Sequence, residues 1–285
     1  MKLVRYGPKG KEKPGIIDAD GNLRSLAKVV KDIDGDTLSP AGLAKIRAAK
    51  IDRLPKVAGK PRIGACVGRV GKFVAIGLNF VDHAKESGLP IPKEPIVFNK
   101  WTTCIGGAND NIVMPPGSVK SDWEVELAIV MGRKASFVSE KDALKYVAGY
   151  CICNDVSERE YQIERSGGQW DKGKGCDTYG PIGPWMVTKD EIKDVQNLKM
   201  HLSVNGETKQ NGSTATMIFG VANLVSYLSR FMTLEPGDVI TTGTPPGVGL
   251  GMKPTPQFLK AGDVMEVSIE GLGTQKQKVL ASKHR

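Results

Sequence analysis

The chain has 285 residues and a formal net charge of +9, from 40 Lys plus Arg against 31 Asp plus Glu. Its composition, 40% hydrophobic and 25% charged, suits a globular protein that buries a core and excludes disorder, collagen and low-complexity fibre as the main state. No run approaches the ~18 apolar residues of a membrane helix, MKLVRY lacks the apolar h-region of a secretory signal, and five cysteines, an odd number, do not make a disulfide scaffold. The expectation is a cytoplasmic protein with no membrane partner.

The charge is uneven along the chain. Residues 1–68 hold 15 Lys plus Arg against 7 Asp plus Glu, whereas residues 69–285 hold 25 against 24. A basic segment can bind phosphate backbones, so a non-enzymatic basic RNA-binding protein is one reading. The basic residues are spread among acids, however, and Tyr6 is the only aromatic residue in the segment. Single-strand platforms need several, so no nucleic-acid partner is expected.

In chain order, LVRY, PGIID and LRSL read as short strands separated by Gly7, Gly10 and Asp20-Gly21. Residues 40–50 have helical composition, with Pro40 at the start. RLPKVAGKPRIGACVG, punctuated by Pro55, Gly59, Pro61 and Gly64, crosses from a small N-terminal domain (1–68) to a larger one (69–285). KFVAIG (72–77) is a strand. NFVDHAKESG (79–88) is a short helix, with Asp82 as N-cap and Gly88 as stop. WEVELAIVM (123–131) and YVAGYCICNDVS (146–157) are strands, and 158–182 is a long loop of the functional kind. LKMHLSVNGETKQ (198–210) is a strand entering an Asn-Gly hairpin. Residues 215–232 have apolar positions at helical spacing. DVITTGTPPGVGLG (238–251) is a strand running into a Gly/Pro loop, and 262–280 forms two closing strands. The sum is α+β and strand-rich, without the regular alternation of a Rossmann or TIM fold.

Three features carry chemistry. Glu124 and Glu126 sit two apart on a strand, hence on one face, with Trp123, Val125 and Leu127 on the other. Two carboxylates in a partly buried site call for a proton or a cation between them, and hard oxygens suit Mg²⁺, Mn²⁺ or Ca²⁺. The bland alternative is a strand with one solvated face. Asp155, ending the next apolar strand, is placed to be a third ligand, although nothing in the sequence joins it to the pair. His83 and Glu86, at i and i+3, share a helix face, the arrangement of a carboxylate-oriented, water-activating base or of two surface residues. The loop TTGTPPGVGLG (241–251) can turn N–H groups toward an anion, with Thr244 at its mouth placed to bond a substrate carboxylate. Cysteines 66, 104, 151, 153 and 176 lack paired C-x-x-C spacings and read as small buried residues. His201 and His284 read as structural or solvated.

Together, GLNFVDHAKE (77–86), DWEVELAIVMGRKA (122–135), GYCICNDVSEREYQ (149–162), KGCDTYGPIGPW (174–185) and LEPGDVITTGTPPGVG (234–249) resemble, as an ordered set, the fumarylacetoacetate hydrolase family over about residues 70–280. The resemblance implies a mixed β-roll catalytic domain and a homodimer. It implies Mg²⁺ or Mn²⁺ on Glu124, Glu126 and Asp155, a His83–Glu86 dyad and an active-site Lys174. It implies substrate contacts by Gln162 and Thr244, with Arg159 structural or near substrate. Phe80 stands where many relatives have Tyr, so no hydroxyl role carries over there. The implied substrate is a small 2-oxo or 2,4-dioxo acid. Hydrolysis of an acylpyruvate to pyruvate and a second acid is the favoured reaction, and the segment GGQWDKGKGCDTYGPIGPW (167–185) most resembles members acting on sugar-derived acids such as 2,4-diketo-3-deoxy-L-rhamnonate. Decarboxylation of an oxaloacetate-type acid, or a lyase or hydratase reaction, is the alternative.

Overall fold

The computed structural model describes residues 1–283; His284 lies outside the described residues. The described residues build two large sheets, and a two-stranded ladder of Ser121–Asp122 with Ser157–Glu158, around the strand Val125–Met131, whose seven residues are all buried. The larger sheet runs in the order Leu23–Ser25, Lys13–Ile17, Lys2–Tyr6, Gly180–Thr188, Val147–Asn154, Val125–Met131, Val239–Thr241, Phe73–Gly77, Ile96–Asn99, with Ile105–Gly107 also pairing to Gly180–Thr188. The second sheet runs Glu207–Ser213, Lys199–Val204, Val264–Ile269, Gly273–Leu280, Ile112–Val113. Pairing is antiparallel except at Ile105–Gly107, at Val239–Thr241 against Phe73–Gly77, and at Ile112–Val113. This is the strand-rich α+β arrangement that the sequence pattern predicts.

Period-2 alternation distributes the core. Trp123, Val125, Leu127, Ile129 and Met131 point into the layer between the sheets, against Met200, Leu202, Met265 and Val267. Ala128 and Val130 point the other way, into a second core shared with Leu3, Ile16, Leu26, Ile33, Cys151 and Met186. Glu124 and Glu126 lie on that second side, where the apolar lining gives way to the site. The N-terminal strands join this arrangement directly: Lys2 and Leu3 pair with Val187 and Met186.

Several elements differ from expectation. Helix Val81–Glu86 begins after Phe80, so Asp82 lies in its first turn and is not the N-cap; Gly88, with φ +65°, closes it as expected. The segment 158–182 is not one loop. It contains a π-helical turn Glu160–Glu164, a short helix Asp171–Lys174 and the start of strand Gly180–Thr188. Of 215–232, only Val221–Leu228 is α-helical. A 3-10 turn, Thr214–Thr216, precedes it, and between the two the Asn79 side chain accepts from the N–H of Phe219 (2.8 Å) and donates to its carbonyl (3.0 Å).

Candidate active site

Strand register assembles the carboxylates. Cys153 pairs with Glu126 and Asn154 with Val125, and the N–H of Asp155 donates to the Glu124 carbonyl at 2.9 Å. Asp155 therefore falls beside both glutamates. One carboxylate oxygen from each of Glu124, Glu126 and Asp155 lies within 4.8 Å of the others, and exposure is 5%, 1% and 0%. The sequence leaves open whether this face is wet; it is buried.

Each carboxylate has different partners. Glu124 Oε1 accepts from Arg159 Nη2 (2.7 Å) and Oε2 from Lys174 Nζ (2.6 Å). Lys174 also reaches Asp155 Oδ2 at 2.9 Å. Asp155 Oδ1 forms an ion pair with Lys100 Nζ at 2.7 Å, yet this buried oxygen accepts no directed hydrogen bond. Glu126 Oε2 accepts only from neutral donors, the Thr241 hydroxyl and the Gly243 N–H (2.9 Å). Arg159 is braced by Asp122 Oδ2 (2.8 Å) and donates to Gln162 Oε1 (2.9 Å), which leaves the NH₂ of Gln162 as the part of its amide available to a ligand.

The electrostatics follow from these contacts. Burial by itself would raise the Glu124 carboxyl, but Lys174 and Arg159 hold it well below the usual carboxylate range. Burial and the negative charges of Asp155 and Glu124 push Glu126 well above it. Burial would lower Lys100, and Asp155 more than reverses this, so Lys100 stays an ammonium. Four buried carboxyl groups (Asp122, Glu124, Glu126, Asp155) face three buried cations (Lys100, Arg159, Lys174), so ionising Glu126 as well would leave one negative charge uncompensated, and either its proton or a bound cation makes up the difference. Three converging hard oxygens, one carboxylate without an ion-pair partner among the described residues, and Asp155 Oδ1 without a hydrogen bond fit a divalent cation such as Mg²⁺ or Mn²⁺.

Across the cavity, His83 Nδ1 meets Glu86 Oε2 at 2.9 Å. Glu86 Oε1 accepts the N–H of Gly247 at 2.9 Å. A carboxylate on Nδ1 fixes the ring proton there and leaves the lone pair on Nε2. The Gly/Pro loop turns out to serve the chain's own anions. Gly243 N–H binds Glu126, Gly247 N–H binds Glu86, and the N–H groups of Gly249 (2.6 Å) and Leu250 (3.0 Å) bind Asp122. Thr244 stands at the mouth of this loop, its hydroxyl donating to the Val125 carbonyl (3.0 Å) and accepting from Gln210 (2.7 Å).

These groups line a cavity of about 370 Å³. Its walls include His83, Glu86, Glu124, Glu126, Arg159, Gln162, Lys174 and Thr244, so the structure brings together eight of the nine residues singled out from sequence. The ninth, Asp155, lies beneath them with 0% exposure. Ile76, Ile96, Phe98, Trp170 and Val248 form an apolar side. Helix Asp171–Lys174 can press onto the turn carrying Gln162 because residue 173 is glycine; a Cβ there would stand 2.4 Å from the Gln162 nitrogen. Sequence reasoning missed Lys100 and Asp122. Lys100 simply follows the short strand Ile96–Asn99, and no local pattern marks it. Asp122 adjoins Trp123-Glu124, and its role depends on Arg159 and loop 249–250. Burial pushes the Cys176 thiol up to about 11.

Comparison with known proteins accords with this geometry. Residues 72–280 match the sequence pattern described as fumarylacetoacetate (FAA) hydrolase C-terminal. A candidate hydrolase of Burkholderia multivorans is 63% identical over 283 residues, covering 99% of this chain and 100% of its own. Fumarylacetoacetate hydrolase from Exiguobacterium antarcticum superposes with TM-score 0.85 at 35% identity, covering 99% of this chain and 100% of its own. A 2-hydroxyhepta-2,4-diene-1,7-dioate isomerase from Mycobacterium marinum gives 0.75 at 32% identity over 100% of both chains. The chain belongs to the fumarylacetoacetate hydrolase family of enzymes.

Proposed function

We propose that this enzyme hydrolyses a carbon–carbon bond in a 2,4-dioxo acid of the acylpyruvate type, giving pyruvate and a second acid. The observation that carries the reading is the His83–Glu86 dyad lining the same cavity as Glu124, Glu126 and Lys174. Glu124, Glu126 and Asp155 would hold Mg²⁺ or Mn²⁺, which when bound supplies Lewis acidity toward the oxygens of a 2-oxo acid. His83 Nε2, oriented through Glu86, takes a proton from water as the hydroxyl adds to the distal carbonyl. The bond between that carbon and the methylene breaks, and the methylene carbon takes up a proton to become the methyl of pyruvate. The NH₂ of Gln162 is suited to the oxygen that becomes negative during addition. Lys174 holds the Glu124 carboxyl below the usual carboxylate range and bridges it to Asp155, and Phe98 and Trp170 keep that side of the cavity dry.

The test is a panel of acylpyruvates, 2,4-diketo-3-deoxy-L-rhamnonate and oxaloacetate with Mg²⁺, following pyruvate and the second acid. Equimolar products from at least one dioxo acid are expected, with loss of turnover in EDTA. His83→Ala should lower kcat by about 10²–10⁴-fold and leave Mn²⁺ binding unchanged. Turnover of oxaloacetate alone would replace the hydrolase by a decarboxylase using the same carboxylates. Full activity after rigorous chelation would remove the metal from the mechanism.

A further inference from the structure

Three consecutive residues, the last two of the edge strand Ile96–Asn99 and Lys100 just after it, each hold the segment bearing Lys174. The Phe98 ring packs against Trp170 (centroids 5.4 Å) and lies 5.1 Å from the Lys174 ammonium. The N–H of Asn99 donates to Asp171 Oδ1 at 3.0 Å. Lys100, whose side chain has zero exposure, reaches further. Its ammonium donates to the main-chain carbonyl of Lys174, lies 3.5 Å from the carbonyl of Val156, and pairs with Asp155 Oδ1 at 2.7 Å. Its own N–H is anchored to the Phe73 carbonyl of the sheet at 2.9 Å.

We propose that Lys100 is a positioning residue that fixes Asp155 and Lys174 relative to each other, by joining the carboxylate of one to the backbone of the other. Lys174 Nζ itself bridges Glu124 and Asp155, so an error in the Lys174 backbone would be passed to both carboxylates. The two lysines thus meet opposite oxygens of Asp155, Lys100 at Oδ1 and Lys174 at Oδ2. The inference rests on the metal-site reading above, and its test needs no substrate.

Charge and position make opposite demands, which gives the test its edge. Removing a positive charge beside a carboxylate cluster strengthens attraction for a dication; loosening a ligand carboxylate weakens binding. In metal-free Lys100→Met, checked for fold by circular dichroism, amide exchange should rise by about tenfold or more in 153–157 and 170–176, while Val125–Met131 stays protected. Mn²⁺ alone, titrated by electron paramagnetic resonance, should bind about tenfold more weakly. Tighter Mn²⁺ binding would make Lys100 a counter-charge only and overturn the proposal, as would unchanged exchange in the two segments. Should Lys100→Met fail to fold, Lys100→Gln, which keeps a donor for the Lys174 carbonyl, is read in the same way: faster exchange at 153–157 and weaker Mn²⁺ binding support the proposal, and their absence overturns it.

Discussion

Glu124 and Glu126, two residues apart, hold protons very differently. Glu124 has Arg159 and Lys174 against its two oxygens, whereas Glu126 has a hydroxyl and one N–H. Burial and its acidic neighbours therefore keep a proton on Glu126 beyond the usual carboxylate range. A dication entering the site must displace that proton. Because the value is raised, competition is strongest at low pH and fades as pH climbs toward it. Apparent Mn²⁺ affinity should thus rise with pH, by up to about tenfold per unit, with one proton released per ion. Calorimetry in two buffers of different ionisation enthalpy checks this; a flat profile without proton release would mean that Glu126 is already ionised. The pair was legible from its spacing alone. Asp155 was not tied to it, because the Cys153–Glu126 register that aligns them is a property of strand pairing. Lys100 and Asp122 were illegible for the same reason: their partners are 55 and 37 residues away.

Val125–Met131 and Val147–Asn154, long apolar runs buried along their whole length, are legible as strands, whereas elements fixed by distant contacts are not. Gly180–Thr188 looks unlike an inner strand because Pro181 and Pro184 interrupt it. It is accommodated because the ladder to Val147–Asn154 shifts register there, Tyr150 pairing with Val187 and Ile152 with Gly183, so Pro184 falls in the irregularity. The turn and helix of 160–174 are too short for periodicity to register and are held by close approach to other elements. The end of Phe73–Gly77 shows how close: a Cβ on Gly77 would stand 2.3 Å from Trp170 Cζ3. Gly77→Ala should therefore displace Trp170 from the cavity wall, at about 1–3 kcal/mol of stability and about tenfold or more in kcat/KM. Urea unfolding and steady-state rates test it. Rates equal to the parent's would show that Trp170 tilts aside without consequence for the site.

The net charge of +9 changes meaning in the whole molecule. Basic residues of the first quarter are drawn into internal pairs: Arg5 with Asp32 (2.7 Å), Arg24 with Asp18 (2.6 Å) and Arg62 with Glu12 (2.8 Å). Arg62 also reaches Asp110 at 2.6 Å, and Arg47 reaches Asp190 at 2.8 Å, so residues 1–68 are tied by charge to the remainder. They are tied by backbone as well, through Lys2 and Leu3 on Gly180–Thr188 and the Met1 amino group on Thr188 Oγ1 (2.6 Å). Leu3, Ile16, Leu26 and Ile33 bury the side of the sheet that carries Val130, Cys151 and Met186, on which Glu124 and Glu126 also lie. Uncovering such side chains forfeits about 1.5–3 kcal/mol each. A handful of them equals the 5–15 kcal/mol that holds a typical domain folded. Residues 69–285 expressed alone should therefore bind ANS, lose near-ultraviolet dichroism and fail to bind Mn²⁺ at concentrations that saturate the full chain. A fragment that unfolds cooperatively and binds Mn²⁺ with parental affinity would show that the catalytic part holds the back of its own sheet without the N-terminal strands.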